Sequence, residues 1–135
     1  MNSLTFNSMQ LKETIVEGLK DGKAKDVVCI DMRKVNGSIC DYFIIAHGDS
    51  ATHIDGINRS VYKRCVNELN EKPWKEEGKG NSEWILMDYV NIVAHIFYKE
   101  TRSTYNIEDL WGDAPVKQYL TCLLYTSDAA DERHC

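Results

Sequence analysis

Tyr42-Phe43-Ile44-Ile45-Ala46-His47-Gly48-Asp49-Ser50 opens with five apolar residues and ends in a polar break. Beyond the break, Ile54, Ile57, Val61, Cys65 and Leu69 recur at three- and four-residue spacing. A short apolar run followed by that periodicity predicts a buried strand that turns through a tight loop into a helix. Thr52 and Asp55 fit a capping box for the helix start. Upstream, Val27-Val28-Cys29-Ile30 has the β-branched content of another buried strand. It is preceded by a helix over Ser8 to Asp21, where Leu11, Ile15 and Leu19 share one face and Lys12, Glu13 and Glu17 lie off it. Asn36-Gly37 suits a turn with positive φ.

Downstream, Glu71 to Glu83 is polar and holds Pro73, Gly78 and Gly80, a connection of about a dozen residues. Trp84 to Tyr89 and Ile92 to Tyr98 are rich in aromatic and β-branched residues, and Val90-Asn91 between them is short enough for a hairpin. A last helical turn or two is expected over Tyr105 to Trp111, stopped by Gly112 and Pro115. The order helix, strand, strand, helix, strand, strand, helix describes an α+β domain, a mixed β-sheet covered by helices.

The 135 residues are 43% hydrophobic and 27% charged, which excludes a disordered chain unable to bury a core. The formal net charge of -5 runs against a general nucleic-acid binder and suits a small molecule or a basic protein partner. No apolar run approaches the roughly 18 residues of a membrane span. The first residues lack a basic region followed by an apolar one, so the expectation is a cytoplasmic protein. Five widely spaced cysteines with no Cys-x-x-Cys read as reduced thiols.

Candidate chemistry is thin. Ser50, Cys40 and Cys65 could be paired with His47, His53 or His95, but no nucleophile-elbow frame surrounds any of them. Cys40, Asp41, His47 and His53 have no recognised metal-ligand spacing. Gly48-Asp49-Ser50 precedes a helix N-terminus and could cradle a phosphate. Asp49 would repel that phosphate, and a strand-to-helix turn capped by Asp49 or Ser50 is the simpler reading. Trp84, Tyr89, His95 and Trp111 stand out instead, because Trp and Tyr anchor protein interfaces as readily as they fill cores.

Asn81-Ser82-Glu83-Trp84-Ile85-Leu86-Met87-Asp88-Tyr89-Val90-Asn91-Ile92-Val93-Ala94-His95-Ile96-Phe97 closely resembles the ribosomal silencing factor family, also called the Iojap family. Asp41 to Ser50, Glu77-Gly78, Arg102 with Tyr105, and Glu108 to Ala114 extend the resemblance over roughly Met9 to Ala114. It implies a non-catalytic translation repressor that binds the large ribosomal subunit through ribosomal protein number fourteen. Occupying that face blocks joining of the small subunit under nutrient limitation. No cofactor, metal, membrane or direct nucleic-acid recognition is implied, and the chain is expected as a monomer or weak homodimer.

The implied fold resembles the nucleotidyltransferase fold without its catalytic carboxylates. Such enzymes hold metals on paired carboxylates in a strand shortly after a Gly-Ser turn. Here Gly48-Asp49-Ser50 leads into a helix to about Leu69, with no Asp-x-Asp or Asp-x-Glu on the following strand. A nucleotide-binding enzyme using that loop is the alternative.

By position, the partner-binding residues are Trp84, Asp88, Tyr89 and His95. Trp84 and His95 could equally pack under the sheet. Trp84 and Tyr89 are five apart and face opposite sides of a regular strand, so both reach one partner only at a strand end, an edge or a bulge. Relatives commonly carry Gly-Asp or Gly-Asn where this chain has Val90-Asn91. A longer or shifted turn is therefore expected, since Val tolerates positive φ poorly. Cys122 to Glu132 resembles a translated adapter read-through found on unrelated chains. Residues 1–117 are read as the silencing-factor domain, and 118–135 as a non-native or disordered extension.

Overall fold

The computed structural model describes residues 8–35, 40–80, 83–106 and 114–119. Helix α1 (Ser8–Asp21) leads into β1 (Lys25–Asp31) and β2 (Tyr42–Gly48), followed by α2 (Ala51–Leu69). Then come β3 (Lys75–Glu77), β4 (Trp84–Asp88), β5 (Ile92–Tyr98), α3 (Lys99–Tyr105) and β6 (Val116–Tyr119). The six strands form one sheet in the order β3-β4-β5-β2-β1-β6. β2 and β5 are parallel, and the other neighbours antiparallel, so the sheet is mixed as expected.

α1 and α2 pack together on one face of the sheet. Residues one apart on a strand point to opposite sides. Ile44 and Ala46 of β2, Ile92, Ala94 and Ile96 of β5, and Ile85 and Met87 of β4 therefore meet Ile15, Leu19, Ile54, Ile57, Val61 and Cys65 of the helices. The two helices approach closely at Gly18, where a Cβ would lie 2.7 Å from the Val61 Cα. The alternate residues Val28, Ile30, Ile45, Val93 and Phe97 build a second apolar cluster on the other face, with Phe43, Trp84 and Leu86 partly buried against it.

Several boundaries differ from expectation. Ser50, rather than Thr52, caps α2: its Oγ accepts from the His53 N–H at 3.0 Å, and Thr52 already lies within the helix. The connection after α2 contains a strand, β3, defined by pairing with β4 and not by apolar pattern. α3 begins at Lys99 directly after β5 and ends at Tyr105, where the expected helix was to begin. Trp111, Gly112 and Asn36-Gly37 lie outside the described residues. β6 carries the sheet to Tyr119, two residues past the boundary expected at 117.

The β4–β5 turn corrects a specific expectation. It is short and unshifted: Tyr89 N–H donates to Ile92 O at 2.8 Å, and Asn91 N–H donates to Tyr89 O at 2.9 Å. Val90 takes the strain, with φ 77 and its side chain 55% exposed. Asp88 compensates by accepting from the Val90 N–H through Oδ1 at 2.7 Å. A β-branched residue at that φ stores energy that glycine would release. Val90→Gly is expected to raise unfolding stability by about 1 kcal/mol in a denaturant titration, the relief outweighing the added chain entropy. An unchanged or lowered midpoint would show that the turn is not strained.

Candidate functional site

The face of the sheet turned away from α1 and α2 gathers most of the residues singled out in the sequence. Along β4 the exposure alternates, so that Trp84, Leu86 and Asp88 point away from the helices while Ile85 and Met87 point toward them. Register places Phe97, His95 and Val93 of β5 opposite those three. β2 adds Phe43 and Ile45 on the same face, beside Val93 and His95.

The result is an aromatic cluster. Trp84 stacks on Phe97 at a centroid distance of 4.9 Å and lies 5.9 Å from His95. Phe43 meets the His95 ring edge-on at 5.0 Å. Tyr105, at the end of α3, lies 4.9 Å from Trp84 and is itself 54% exposed. α3 is held by Arg102, whose Nη1 donates to Asp26 O at 2.7 Å and to His47 Nδ1 at 3.0 Å. Burial and the Arg102 charge lower the pKa of His47, keeping that ring neutral and able to accept.

His95 binds the cluster together chemically. The Trp84 indole N–H donates to His95 Nδ1 at 3.1 Å, which assigns the neutral ring its proton on Nε2. Burial lowers the pKa of His95 to about 4, so the ring stays neutral at ordinary pH. Trp84 is fixed from behind as well. Gly78, with φ +87, passes so close that a Cβ there would sit 2.0 Å from the Trp84 carbonyl oxygen.

The rim is charged. Asp88 is half-buried at the strand end, with Lys75 opposite it on β3 and Glu77 opposite Leu86. Lys75 Nζ lies 2.8 Å from Glu77, and the Asp88 carboxylate has one oxygen engaged by the turn.

The structure therefore brings Trp84, Asp88 and His95 together and does not bring Tyr89 with them. Tyr89 is 4% exposed on the helical face, as its five-residue offset from Trp84 requires. Burial raises the pKa of its hydroxyl, and raises that of the neighbouring Cys65 thiol to about 11. The sequence reading missed Phe43, Leu86, Phe97 and Tyr105. Two-residue alternation from Trp84 was a signal for Leu86, whereas Phe43 and Tyr105 arrive only through tertiary pairing.

The Gly48-Asp49-Ser50 loop is occupied by its own contacts. The Asp49 N–H donates to His53 Nδ1 at 3.0 Å, Ser50 Oγ serves as the helix cap, and the Asp49 carboxylate pairs with Lys25 at 3.0 Å. Glu76 and Glu77 on β3 are adjacent and point to opposite faces; Glu76 accepts from Asn58 of α2, so they form no metal-holding pair. Among the described residues, no three His, Cys, Asp or Glu side chains cluster as metal ligands. Cys29, Cys40 and Cys65 are buried and form no disulfide among the described residues.

An α+β domain with helices on one face and a half-buried aromatic cluster on the other has the make-up of a binding module. The family model described as ribosomal silencing factor during starvation matches residues 5–134. A ribosomal silencing factor of Bacillus subtilis is 34% identical, covering 82% of this chain and 92% of its own length. A chloroplast Iojap protein of Zea mays is 30% identical over 54% of this chain. A crystal structure from Chromobacterium violaceum superposes with a TM-score of 0.74 at 30% identity, covering 79% of this chain and 88% of that one. One from Bacillus halodurans gives 0.71 at 30% identity, covering 83% and 100%. The chain belongs to the ribosomal silencing factor family, a regulatory and non-enzymatic one with a ribosome-associated role.

The depressed pKa of His95 has a consequence for stability. Between its value in an unfolded chain, near 6.5, and its folded value of about 4, the unfolded state binds the extra proton. Stability therefore rises with pH across that window and falls as pH drops from 6.5 toward 4, by at most about 1.4 kcal/mol per pH unit from this group. Thermal melts from pH 7.5 to 4.5 are expected to show a steeper acid loss for the wild type than for His95→Gln. Equal slopes would mean that His95 takes up its proton in the fold as readily as in the unfolded chain.

Proposed function

We propose that this chain represses translation by binding the large ribosomal subunit through ribosomal protein number fourteen, using the open sheet face around Trp84. A folded domain seated on the subunit's joining surface excludes the small subunit by volume alone, with no chemistry required. Repression under nutrient limitation follows the wording of the matching family model. The large subunit as target is supported by a mouse relative, 30% identical over 73% of this chain, named mitochondrial assembly of ribosomal large subunit protein 1.

The observation that carries the reading is the set of Trp84, Phe43 and Tyr105 around the buried Phe97, on the side that neither long helix covers. Large aromatics held rigid in a half-buried setting contribute contact area at small entropic cost, the character of interface hot spots. Asp88 at the rim supplies a negative charge suited to a basic ribosomal protein, and the chain's net charge of -5 favours the same encounter. His95 holds Trp84, and Tyr89 supports the strand from the other side. In the described residues no helix is long and apolar enough to cross a membrane, and we place the protein in the cytoplasm, as a monomer or weak homodimer.

Sucrose-gradient sedimentation with purified large and small subunits tests the proposal. The wild type is expected to travel with the large subunit and to reduce the joined-ribosome peak. Leu86→Glu and Trp84→Ala, in protein that retains its melting transition, should lose tenfold or more in binding. Tyr89→Phe, which removes only a buried hydroxyl, should bind as the wild type does. Wild-type protein that stays at the top of the gradient would overturn the reading.

A further inference from the structure

His95 carries a hydrogen-bond donor for which the described residues supply no acceptor. Its ring is 6% exposed, its Nδ1 accepts from the Trp84 indole, and the remaining proton therefore sits on Nε2. Among the described residues that nitrogen is fully buried and finds no acceptor. An unpaired N–H in an apolar setting is costly, and cores avoid it. The bond to Trp84 accounts for one ring nitrogen and leaves the other without a structural purpose. On the face away from α1 and α2 the ring is flanked by Phe43 and Leu86, both only partly buried, so the cover over it on that side is incomplete.

We propose that His95 is a specificity-determining donor of the partner site, whose Nε2–H is completed by a neutral oxygen acceptor, a backbone carbonyl or side-chain amide, of the bound ribosomal protein. This rests on the reading of the open face as the site for ribosomal protein number fourteen. A neutral acceptor is favoured because the surroundings of the ring are aromatic and aliphatic, where a partner's carboxylate would be stripped of water with a single donor to meet it. The donor discriminates in the way buried polar groups do: a partner that closes the apolar surface but brings no acceptor leaves the N–H unpaired and binds more weakly.

The test is nuclear magnetic resonance of the full chain with 15N-labelled histidine and tryptophan, titrated with purified ribosomal protein number fourteen. In the free chain, Nδ1 should report as an unprotonated acceptor and Nε2 as protonated, its proton lacking the downfield shift of a hydrogen bond. At saturation, the Nε2 proton should move downfield and exchange more slowly with water. His95→Asn can place its side-chain oxygen near the Nδ1 position, keeping the Trp84 bond while removing the donor. It should bind about tenfold more weakly, the cost of one unpaired buried group.

If the Trp84 indole signal shifts on titration while His95 Nε2 does not, the partner binds there without the donor, and this proposal falls while the function stands. If neither signal shifts, the partner assignment falls and takes the proposal with it. An Nε2 proton already shifted downfield in the free chain would reveal an internal acceptor and overturn the proposal directly. Should His95→Asn fail to fold, the wild-type titration decides alone.

Discussion

Everything in the fold hangs on the parallel pairing of β2 with β5, seven residue pairs from Tyr42 with Ile92 to Gly48 with Tyr98. Parallel neighbours cannot be joined by a tight turn, so the chain between them must leave the sheet and return. Here the excursion consists of α2, β3 and β4, and its length is what delivers the β4–β5 hairpin to the far side of β2. Because the pair is central, it must be apolar toward both faces. β2 and β5 meet that demand with near-continuous buried residues, polar only at His47 and His95.

Those two histidines show how a buried sheet accommodates a ring that can charge. Each is kept neutral by burial, and each accepts a hydrogen bond on Nδ1 from a donor that orders a neighbouring element: Arg102 for α3, Trp84 for β4. The Tyr105 ring on α3 then reaches Trp84. Two internal bonds thus set the relative positions of three aromatic contributors to the open face. The opposite face is governed by volume instead, with α1 and α2 so close at Gly18 that a methyl group would collide with backbone.

The sequence reading recovered the elements whose signals are local. Leu11, Ile15 and Leu19 announced α1 with its observed ends, and the apolar runs announced β2, β4 and β5 within one or two residues. β3 escaped because Lys75-Glu76-Glu77 has no apolar alternation, and only its partner strand makes it one. α3 escaped because Lys99 to Thr104 contains no apolar stripe, its one buried side chain being Arg102. The Val90 turn was misjudged for an energetic reason: seven parallel and five antiparallel pairings on β5 enforce the register, and a single strained φ is cheaper than shifting it. Of the candidate site, Trp84, Asp88 and His95 were legible through the family resemblance and strand parity. Phe43 and Tyr105, which come from distant elements, were not.

β3 also determines how the sheet ends beside that face. It is three residues long, carries Lys75 and Glu77 pointing the same way, and is bounded by Pro73 and by Gly78 in a left-handed conformation. Short length, alternating charge and flanking breakers make a strand edge a poor template for another chain. The aromatic face is thereby bordered by a margin that discourages backbone pairing. A molecule approaching it is selected by its side chains, and sticky extended segments in a crowded cell are turned away at the adjacent edge.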